Sequence, residues 1–435
     1  MKKFKSDFML GAATAGHQVE GNNTNSDCWA LEHMKYSSYI EPSLDAVDHY
    51  NRFKEDILLM KNAGLNCYRF SIEWSRIEPQ EGKFDDNEIN HYLDVIQCCK
   101  ENGIEPFITM HHFASPKWLI SKGGWEAEST VEYFARYCKY VVEKIGNYTN
   151  YICTINEANM GLQIAAIMKR YMLQMNTMAA KSKDAAKNSE GTVQLGLNLE
   201  ALMASQQSAA IESASAFGVD DPSKVQVFAA IRTNEGDALV MRAHQAAKSI
   251  IKTVCPHIQV GVTLSLHDIQ PIDGGEELAR KEWDEEFLHY LPYIKDDDFL
   301  GVQNYTRSII GKNGLQPTKE YAELTQMNYE FYPEALENVI RKVAQDFKGD
   351  IIITENGIAT GDDTRRVEFI RQALNGVHNC IDDGLPIKGY MHWSLLDNFE
   401  WQKGYAMTFG LIAVDRTTQK RNPKPSLHYL GSMKE

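Results

Sequence analysis

The sequence predicts an α/β protein whose eight parallel strands close into one barrel, and three observations support this prediction. Eight short apolar runs, mostly separated by segments of helical period, occur along the 435 residues. No Gly-rich phosphate loop follows the first run, which disfavours an open doubly wound sheet. Two of the runs end in a glutamate, and barrels of this kind place catalytic groups where their strands end. We therefore expect a single domain over residues 1–435, a (β/α)8 TIM barrel.

The predicted strands are short apolar runs rich in β-branched and aromatic residues. The run Ile351–Thr354 begins with three consecutive isoleucines, which is typical of a strand buried on both faces of a parallel sheet. In chain order the predicted strands are Phe8–Thr14, Asn66–Ile72, Glu105–Met110, Tyr151–Asn156, Gln259–Leu264, Phe299–Asn304, Ile351–Thr354 and Ile387–Trp393.

Between most strands, apolar residues recur every three or four positions, which predicts helices with one buried face. The first of these helices ends at Gly64 and the last at Gly384, and glycine commonly terminates a helix. The stripe residues are Tyr50, Phe53, Ile57 and Met60 in the first helix, and Val367, Ile370, Leu374, Val377 and Ile381 in the last.

One segment exceeds what a barrel of strand–helix pairs requires. About a hundred residues separate the fourth and fifth predicted strands, far more than one crossover helix needs. The stretch from 160 to 230 is rich in Ala, Met, Ser and Gln, and its helical propensity is strong. We interpret residues 160–230 as a helical insertion at the top face of the barrel.

The composition limits the partners of the protein. A net charge of −14 argues against a nucleic-acid groove or an anionic membrane surface as partner. The first residues lack a long apolar stretch of the signal-peptide type, and no run approaches the length of a membrane span. The eight cysteines show no zinc-site spacing, so that reduced thiols in a cytoplasmic enzyme fit best.

The chemistry depends on two glutamates, Glu157 after the fourth strand and Glu355 after the seventh. Either one alone could equally be a structural ion-pair partner, and the presence of the other favours catalysis. Two carboxylates that face each other across a pocket suit cleavage of a glycosidic bond. Aromatic faces and amides at other strand ends suit the binding of a sugar ring. These further residues are Gln18, Glu20, Arg69, His112, Phe113, Asn156, Asn304, Tyr305, Trp393, Glu400 and Trp401.

Five groups of segments carry a resemblance to a known family. The chain closely resembles family 1 of the glycoside hydrolases, the retaining β-glucosidases and their relatives, and the matches occur in that family's order. The matching segments are 8–14 (FMLGAAT) with 18–21 (QVEG), 68–77 (YRFSIEWSRI), 154–157 (TINE), 353–357 (ITENG) and 393–401 (WSLLDNFEW).

The resemblance implies roles for these residues. It implies that Glu157 is the acid/base and Glu355 the nucleophile, with the two carboxyl groups roughly 5–5.5 Å apart, as retention requires. It also implies that Arg69 and Tyr305 keep the nucleophile ionised, and we expect Asn304 to support it as well. The residues expected to bind the non-reducing sugar are Gln18, His112, Phe113, Asn156, Tyr305, Trp393, Glu400 and Trp401.

Two departures from the family's pattern fall beside the expected site. Ala158 follows the acid/base residue where the family usually has proline. Phe113 occupies the place of a tryptophan beside the pocket histidine, so a stacking face is kept and an indole N–H donor is lost. One sugar hydroxyl is therefore expected to be recognised differently.

The expected function is that of a retaining exo-β-glycosidase that acts on terminal β-glucosyl or related residues and needs no metal or cofactor. A β-galactosidase, a β-fucosidase and a 6-phospho-β-glucosidase stay open within the family. The phosphorylated substrate is disfavoured because Glu400 would repel a phosphate. The alternative from another class is a catalytically idle sugar-binding protein, against which the presence of both glutamates argues. A homo-oligomer also stays open.

The insertion is expected to act on the leaving group. Because it follows Glu157 directly, it should border the aglycone as a helical lid that favours bulky hydrophobic aglycones. A subunit interface is the alternative, since the same apolar side chains could form one. The side chains concerned are Met168, Tyr171, Met172, Met175 and Met178.

Overall fold

The computed structural model describes residues 2–168, 206–318 and 321–435. Eight parallel strands form a closed barrel in which each strand pairs with its neighbours in chain order and the last pairs with the first. All eight predicted strands are therefore confirmed, with ends that differ by one or two residues. The barrel strands are β1 (Met9–Ala13), β2 (Cys67–Ser71), β3 (Glu105–His111), β4 (Tyr151–Ile155), β5 (Gln259–Ser265), β6 (Phe299–Gln303), β7 (Asp350–Asn356) and β8 (Ile387–Trp393).

Helices surround the barrel and cover the outer faces of its strands. The helix His49–Ala63 buries Phe53, Ile57 and Met60 as its apolar spacing predicts, and Gly64 ends it in the left-handed conformation (φ 95°). The α-helices that lie wholly within the described residues are Gly16–Val19, Asp27–Glu32, His49–Ala63, Trp74–Ile77, Asp86–Glu101, Lys117–Ser121, Ser129–Ile145, Gln206–Phe217, Asn234–Val254, Glu276–Glu286, Leu291–Ile294, Ala335–Asp346, Asp363–Asp382 and Pro425–Ser432.

Short elements complete the loops between these helices and strands. Single 3-10 turns occur at Gly124–Glu126, Gly146–Tyr148, Pro222–Lys224, Leu288–Tyr290 and Trp401–Lys403. In the part of the chain that the structure describes, two small sheets lie outside the barrel. One is formed by Asp268–Pro271, Arg307–Gly311 and Gly314–Leu315, and the other by Ile412–Val414 and Arg421–Pro423.

Two described parts of the predicted insertion are helical, residues 160–168 and Gln206–Phe217. In the second, the carboxylate of Glu212 accepts hydrogen bonds from the backbone N–H groups of Lys35 and Tyr36, at 2.8 and 2.9 Å. This end of the insertion therefore contacts the loop that follows β1. Four of the residues expected to form a lid lie outside the described residues, namely Tyr171, Met172, Met175 and Met178.

The eight cysteines are all buried with free thiols, as their spacing predicts. Within the described ranges, no helix has the length and apolar character needed to span a bilayer. The strands all run in one direction, so their carboxyl ends meet at one face of the barrel. That face collects the residues of the candidate active site.

Candidate active site

Glu157 stands where the chain leaves β4. Its backbone has a φ of 44°, a left-handed conformation that costs energy for a residue with a side chain and often marks a functional site. Two hydrogen bonds to β5 stabilise this turn. Glu157 N–H donates to Thr263 Oγ1 at 2.8 Å, and Ala158 N–H donates to the Thr263 carbonyl at 3.0 Å. A proline at position 158 would lack the second donor. Ala158 therefore contributes a bond that the family's usual residue has no means of making.

Glu355 lies near the end of β7 and is only 4% exposed. Arg69 Nη1 donates to its Oε1 at 2.6 Å, and the Tyr305 hydroxyl donates to its Oε2 at 2.6 Å. Arg69 itself is completely buried inside the barrel, and its Nη2 donates to Asn156 Oδ1 at 2.6 Å. The Arg69 guanidinium therefore contacts both Glu355, the nucleophile candidate, and Asn156, which directly precedes Glu157.

A third donor to Glu355 is a residue that the sequence analysis missed. Gln303, the last residue of β6, donates from Nε2 to Glu355 Oε1 at 3.0 Å and to Asn156 Oδ1 at 2.8 Å. Asn304, which is expected to support the nucleophile, does not hydrogen-bond to its carboxylate. Asn304 Nδ2 donates to the carbonyls of Leu266 and Thr306 at 2.8 and 2.9 Å, and Asn304 meets Glu355 through the backbone alone. Gln303 takes the place expected for Asn304.

The two carboxyl groups have different electrostatic surroundings. Burial raises the pKa of Glu157 well above its usual value, and the negative charges of Glu355 and Glu400 add to this, against the opposing effect of Arg69. Burial also raises the pKa of Glu355 above its usual value, although the Arg69 charge and the hydrogen bonds from Tyr305 and Arg69 oppose this rise. The hydrogen-bond donors that favour an ionised carboxylate therefore contact Glu355.

Gln18 and Glu400 form a second polar region of the site, which we call the Glu400 wall. Gln18 Nε2 donates to Glu400 Oε2 at 3.3 Å and to the carbonyl of Phe399 at 2.8 Å. Burial raises the pKa of Glu400 to about 8, with a further contribution from Glu355, while hydrogen bonds from Gln18 and Trp393 lower it. Gln18 Oε1 is buried and has no hydrogen-bond partner among the described residues. It is therefore available to a ligand hydroxyl.

His112 joins this wall to the catalytic pair. Asn156 Nδ2 donates to His112 Nε2 at 3.2 Å, and burial followed by the charge of Arg69 lowers the pKa of His112 well below its usual value. The ring is therefore neutral, and its proton resides on Nδ1. That nitrogen is buried without a partner among the described residues. His112 thus presents one free N–H donor.

Aromatic rings border the same space. The ring of His112 stacks on Trp393 with centroids 5.6 Å apart and an angle of 22°. The ring of Phe113 packs edge-on against that of Trp401, with ring centroids 5.3 Å apart. The aromatic ring at position 113 therefore lies beside one of the residues expected to bind the sugar. Glu20 is not part of this group of binding residues, because its carboxylate accepts hydrogen bonds from Arg76 at 2.8 Å and from Tyr92 at 3.0 Å. The other predicted binding residues are together at one face of the barrel.

Comparisons with known proteins agree with this arrangement. The family model described as glycosyl hydrolase family 1 matches residues 1–186 and 292–435. The chain is 42% identical to the crystal structure of beta-glycosidase BGL167, with a TM-score of 0.87, and the match covers 99% of this chain and 96% of that one. It is 30% identical to Beta-glucosidase A of Acetivibrio thermocellus, over 97% of this chain and 96% of the relative. It is 27% identical to a 6-phospho-beta-galactosidase of Staphylococcus haemolyticus, over 100% of this chain and 99% of the relative.

Proposed function

We propose a catalytic mechanism and a set of site residues for this chain, which belongs to glycosyl hydrolase family 1 and is a glycoside hydrolase that acts on β-glycosides. In the first step Glu355 attacks the anomeric carbon while Glu157 donates its proton to the departing glycosidic oxygen. The aglycone leaves as an alcohol, and the sugar is bound to Glu355 as an ester. In the second step water attacks that carbon, Glu157 takes a proton from the water, and Glu355 leaves as a carboxylate.

The observation that carries this assignment is the unequal support of the two carboxyl groups. Glu355 receives hydrogen bonds from Arg69, Tyr305 and Gln303 at 2.6, 2.6 and 3.0 Å, as a group that must carry a negative charge requires. Among the described side chains, no Arg, Lys or Tyr hydrogen-bonds to the carboxyl group of Glu157. A buried and poorly compensated carboxyl group retains its proton, as a general acid must before the first step.

The wall around Glu400 supports a neutral sugar as the preferred glycone. Gln18, His112 and Asn156 supply amide and imidazole groups for hydroxyls, and Trp401 supplies an apolar face. A phosphorylated sugar is disfavoured there, because ionisation of Glu400, whose pKa is about 8, would place a second anion beside the phosphate. We propose terminal β-glucosyl or closely related residues as substrates, with cytoplasmic localisation supported by the eight free thiols. A screen of aryl β-glycosides that differ only in the sugar would rank glucose, galactose, fucose and xylose.

Retention can be tested directly by the stereochemistry of the first product. During hydrolysis of an aryl β-glucoside, we expect the β-anomer of glucose to appear first in the proton NMR spectrum and the α-anomer to form later by mutarotation. The physical reason is that two successive displacements at one carbon restore its configuration. Initial appearance of the α-anomer would contradict the role of Glu355 as a nucleophile.

The pKa of Glu157 is expected to change during the catalytic cycle. The charge of Glu355 is one cause of the raised pKa of Glu157, and that charge disappears when Glu355 is esterified by the sugar. The pKa of Glu157 should therefore fall in the intermediate, which converts the proton donor of the first step into the base of the second. Titration of carbon-13-labelled glutamate in the free enzyme and in the enzyme trapped with a 2-fluoroglycoside would measure this. A variant with Gln at position 157 identifies the signal, and an unchanged or increased pKa would argue against the cycle.

A further inference from the structure

A loop between β6 and β7 is held firmly at the mouth of the barrel. On one side, the guanidinium of Arg307 donates to both carboxylate oxygens of Glu330 at 2.8 Å, and the Thr306 hydroxyl donates to the Glu330 carbonyl at 2.8 Å. On the other side, Gln326 Oε1 accepts from the backbone N–H and the hydroxyl of Thr408, each at 2.9 Å. The loop is thus tied both to the end of β6 and to the segment that follows Glu400.

Tyr329 lies between these two attachments. Its side chain is completely buried, and its hydroxyl has no hydrogen-bond partner among the described residues. Its own carbonyl accepts from the N–H of Thr325 at 2.9 Å, which fixes the backbone at this point. The hydroxyl is therefore held in place by its loop and remains unsatisfied.

The hydroxyl groups of the other buried tyrosines can be compared with that of Tyr329. Within the described ranges, each of them hydrogen-bonds through its hydroxyl, whereas Tyr329 does not. A buried polar group without a partner is rare and calls for an explanation such as a ligand. The bonded hydroxyls are those of Tyr68 with Thr14, Tyr92 with Glu20, Tyr137 with the Ile72 carbonyl, Tyr290 with Asp237, Tyr305 with Glu355 and Tyr390 with Asn356.

The attachments of the loop place Tyr329 beside the candidate site, because Thr306 adjoins Tyr305 and Thr408 adjoins Phe409, whose ring lies 6.1 Å from that of Tyr305. After burial, the charge of Glu400 is the cause that raises the pKa of Tyr329. Tyr329 in turn contributes to the raised pKa of Tyr305, the residue that donates to the nucleophile. These effects agree with the position given by the loop contacts, and the raised pKa of Tyr329 keeps its hydroxyl a neutral phenol that can donate.

We propose that Tyr329 is a specificity-determining residue whose hydroxyl hydrogen-bonds to a hydroxyl group of the non-reducing sugar, beside the carboxyl group of Glu400. This inference rests on the proposed function, because it takes the space between Glu400 and Glu355 as the sugar site. It adds a ligand from a loop that the sequence motifs do not include. A sugar that lacks the partner hydroxyl, or presents it in the other configuration, would leave Tyr329 unsatisfied and bind its transition state less well.

The test combines one substitution with a series of substrates. Tyr329→Phe keeps the ring and removes the hydroxyl, and the substrates are an aryl β-glucoside and its 3-, 4- and 6-deoxy analogues with the same aryl group. We expect Tyr329→Phe to lower kcat/KM for the glucoside by roughly 10- to 100-fold. For one deoxy analogue the substitution should change kcat/KM less than about twofold, because the bond is already absent there.

Tyr332→Phe is the matched control. Tyr332 belongs to the same loop, but its hydroxyl accepts a long hydrogen bond of 3.5 Å from Gln270 and its ring lies 3.8 Å from the guanidinium of Arg307. Tyr332→Phe should leave the ratios of kcat/KM across the substrate series unchanged. Thermal unfolding of both variants, and dissociation constants for a sugar-shaped inhibitor and its deoxy analogues, separate binding from folding.

The outcomes distinguish this inference from the proposed function. A loss that is equal for every analogue, or no loss for any, would overturn the role of Tyr329 while the wild-type enzyme still hydrolyses β-glucosides. An inactive wild type would instead overturn the proposed function itself. A loss confined to substrates that carry one particular hydroxyl supports the inference and identifies that hydroxyl.

Discussion

Replacing Glu355 by alanine is expected to lower kcat by more than about 10⁴-fold for every β-glycoside, because the atom that forms the bond to the anomeric carbon is removed. The same variant should regain turnover in the presence of azide. The missing side chain leaves space at the end of β7, beside the Arg69 guanidinium and the Tyr305 hydroxyl that hold the carboxylate in the wild type. A small anion can occupy that space and attack the sugar once. The product should be the α-glycosyl azide, identified by NMR.

Glu355→Gln is the matched control for this prediction. Glutamine has nearly the same volume as glutamate and can keep contacts with Arg69 and Tyr305, but it lacks the nucleophilic carboxylate. It should be as inactive as the alanine variant and should gain nothing from azide, because the amide fills the site. Thermal unfolding of both variants establishes that they fold. A β-glycosyl azide from Glu355→Ala, or equal rescue of both variants, would refute the role of Glu355 as nucleophile.

The barrel could be predicted because each strand carries a local signal. A strand such as β7 is buried on both faces, so the sequence there has three consecutive isoleucines, and the observed strand extends the prediction by one residue at the start and two at the end. The helix stripes are similarly local, since Phe53, Ile57 and Met60 face the barrel from one helix. Strand ends are less certain from sequence, because Glu355 and Asn356 still pair in the sheet although their side chains belong to the site.

The direction of the Asn304 side chain has a physical reason that the sequence itself contains. Side chains alternate between the two sides of an extended chain. β6 ends at Gln303, but the alternation continues beyond it, since Gln303 and Tyr305 both donate to Glu355 whereas Asn304 donates to the carbonyls of Leu266 and Thr306. Tyr305 was expected to contact the nucleophile, and the same face therefore includes Gln303. Alternation along the chain therefore selects the glutamine two positions before the tyrosine, and not the asparagine next to it.

Other parts of the site depend on contacts that no local pattern encodes. Thr263 fixes the Glu157 turn from a neighbouring strand, and Gln18 reaches Glu400 across 382 positions of the sequence. Tyr329 reaches the pocket from a loop whose place is set by Arg307, Glu330 and other partners. Such contacts follow from closure of the barrel, which brings loops from distant parts of the chain to one face.

Replacing Glu157 by alanine is expected to produce losses that depend on the leaving group. For an aryl glycoside with a poor leaving group, kcat/KM should fall by roughly 10²- to 10⁴-fold, the usual contribution of a general acid. For a dinitrophenyl glycoside, whose phenolate leaves without a proton, the first step should be nearly unaffected. The second step still requires a base, so the glycosyl-enzyme should accumulate, with a burst of released phenolate and a low KM. Stopped-flow absorbance would record both.

Azide again separates the two glutamates. In Glu157→Ala, an azide ion can enter beside the intermediate and attack without a base, so turnover of the dinitrophenyl glycoside should rise and the product should be the β-glycosyl azide. Glu157→Gln fills the same space and serves as the control that azide should not rescue. The two alanine variants therefore predict opposite anomers, α from the loss of Glu355 and β from the loss of Glu157. Losses at Glu157 that are independent of the leaving group would exclude it as the proton donor, since a donor matters in proportion to the basicity of the group that departs.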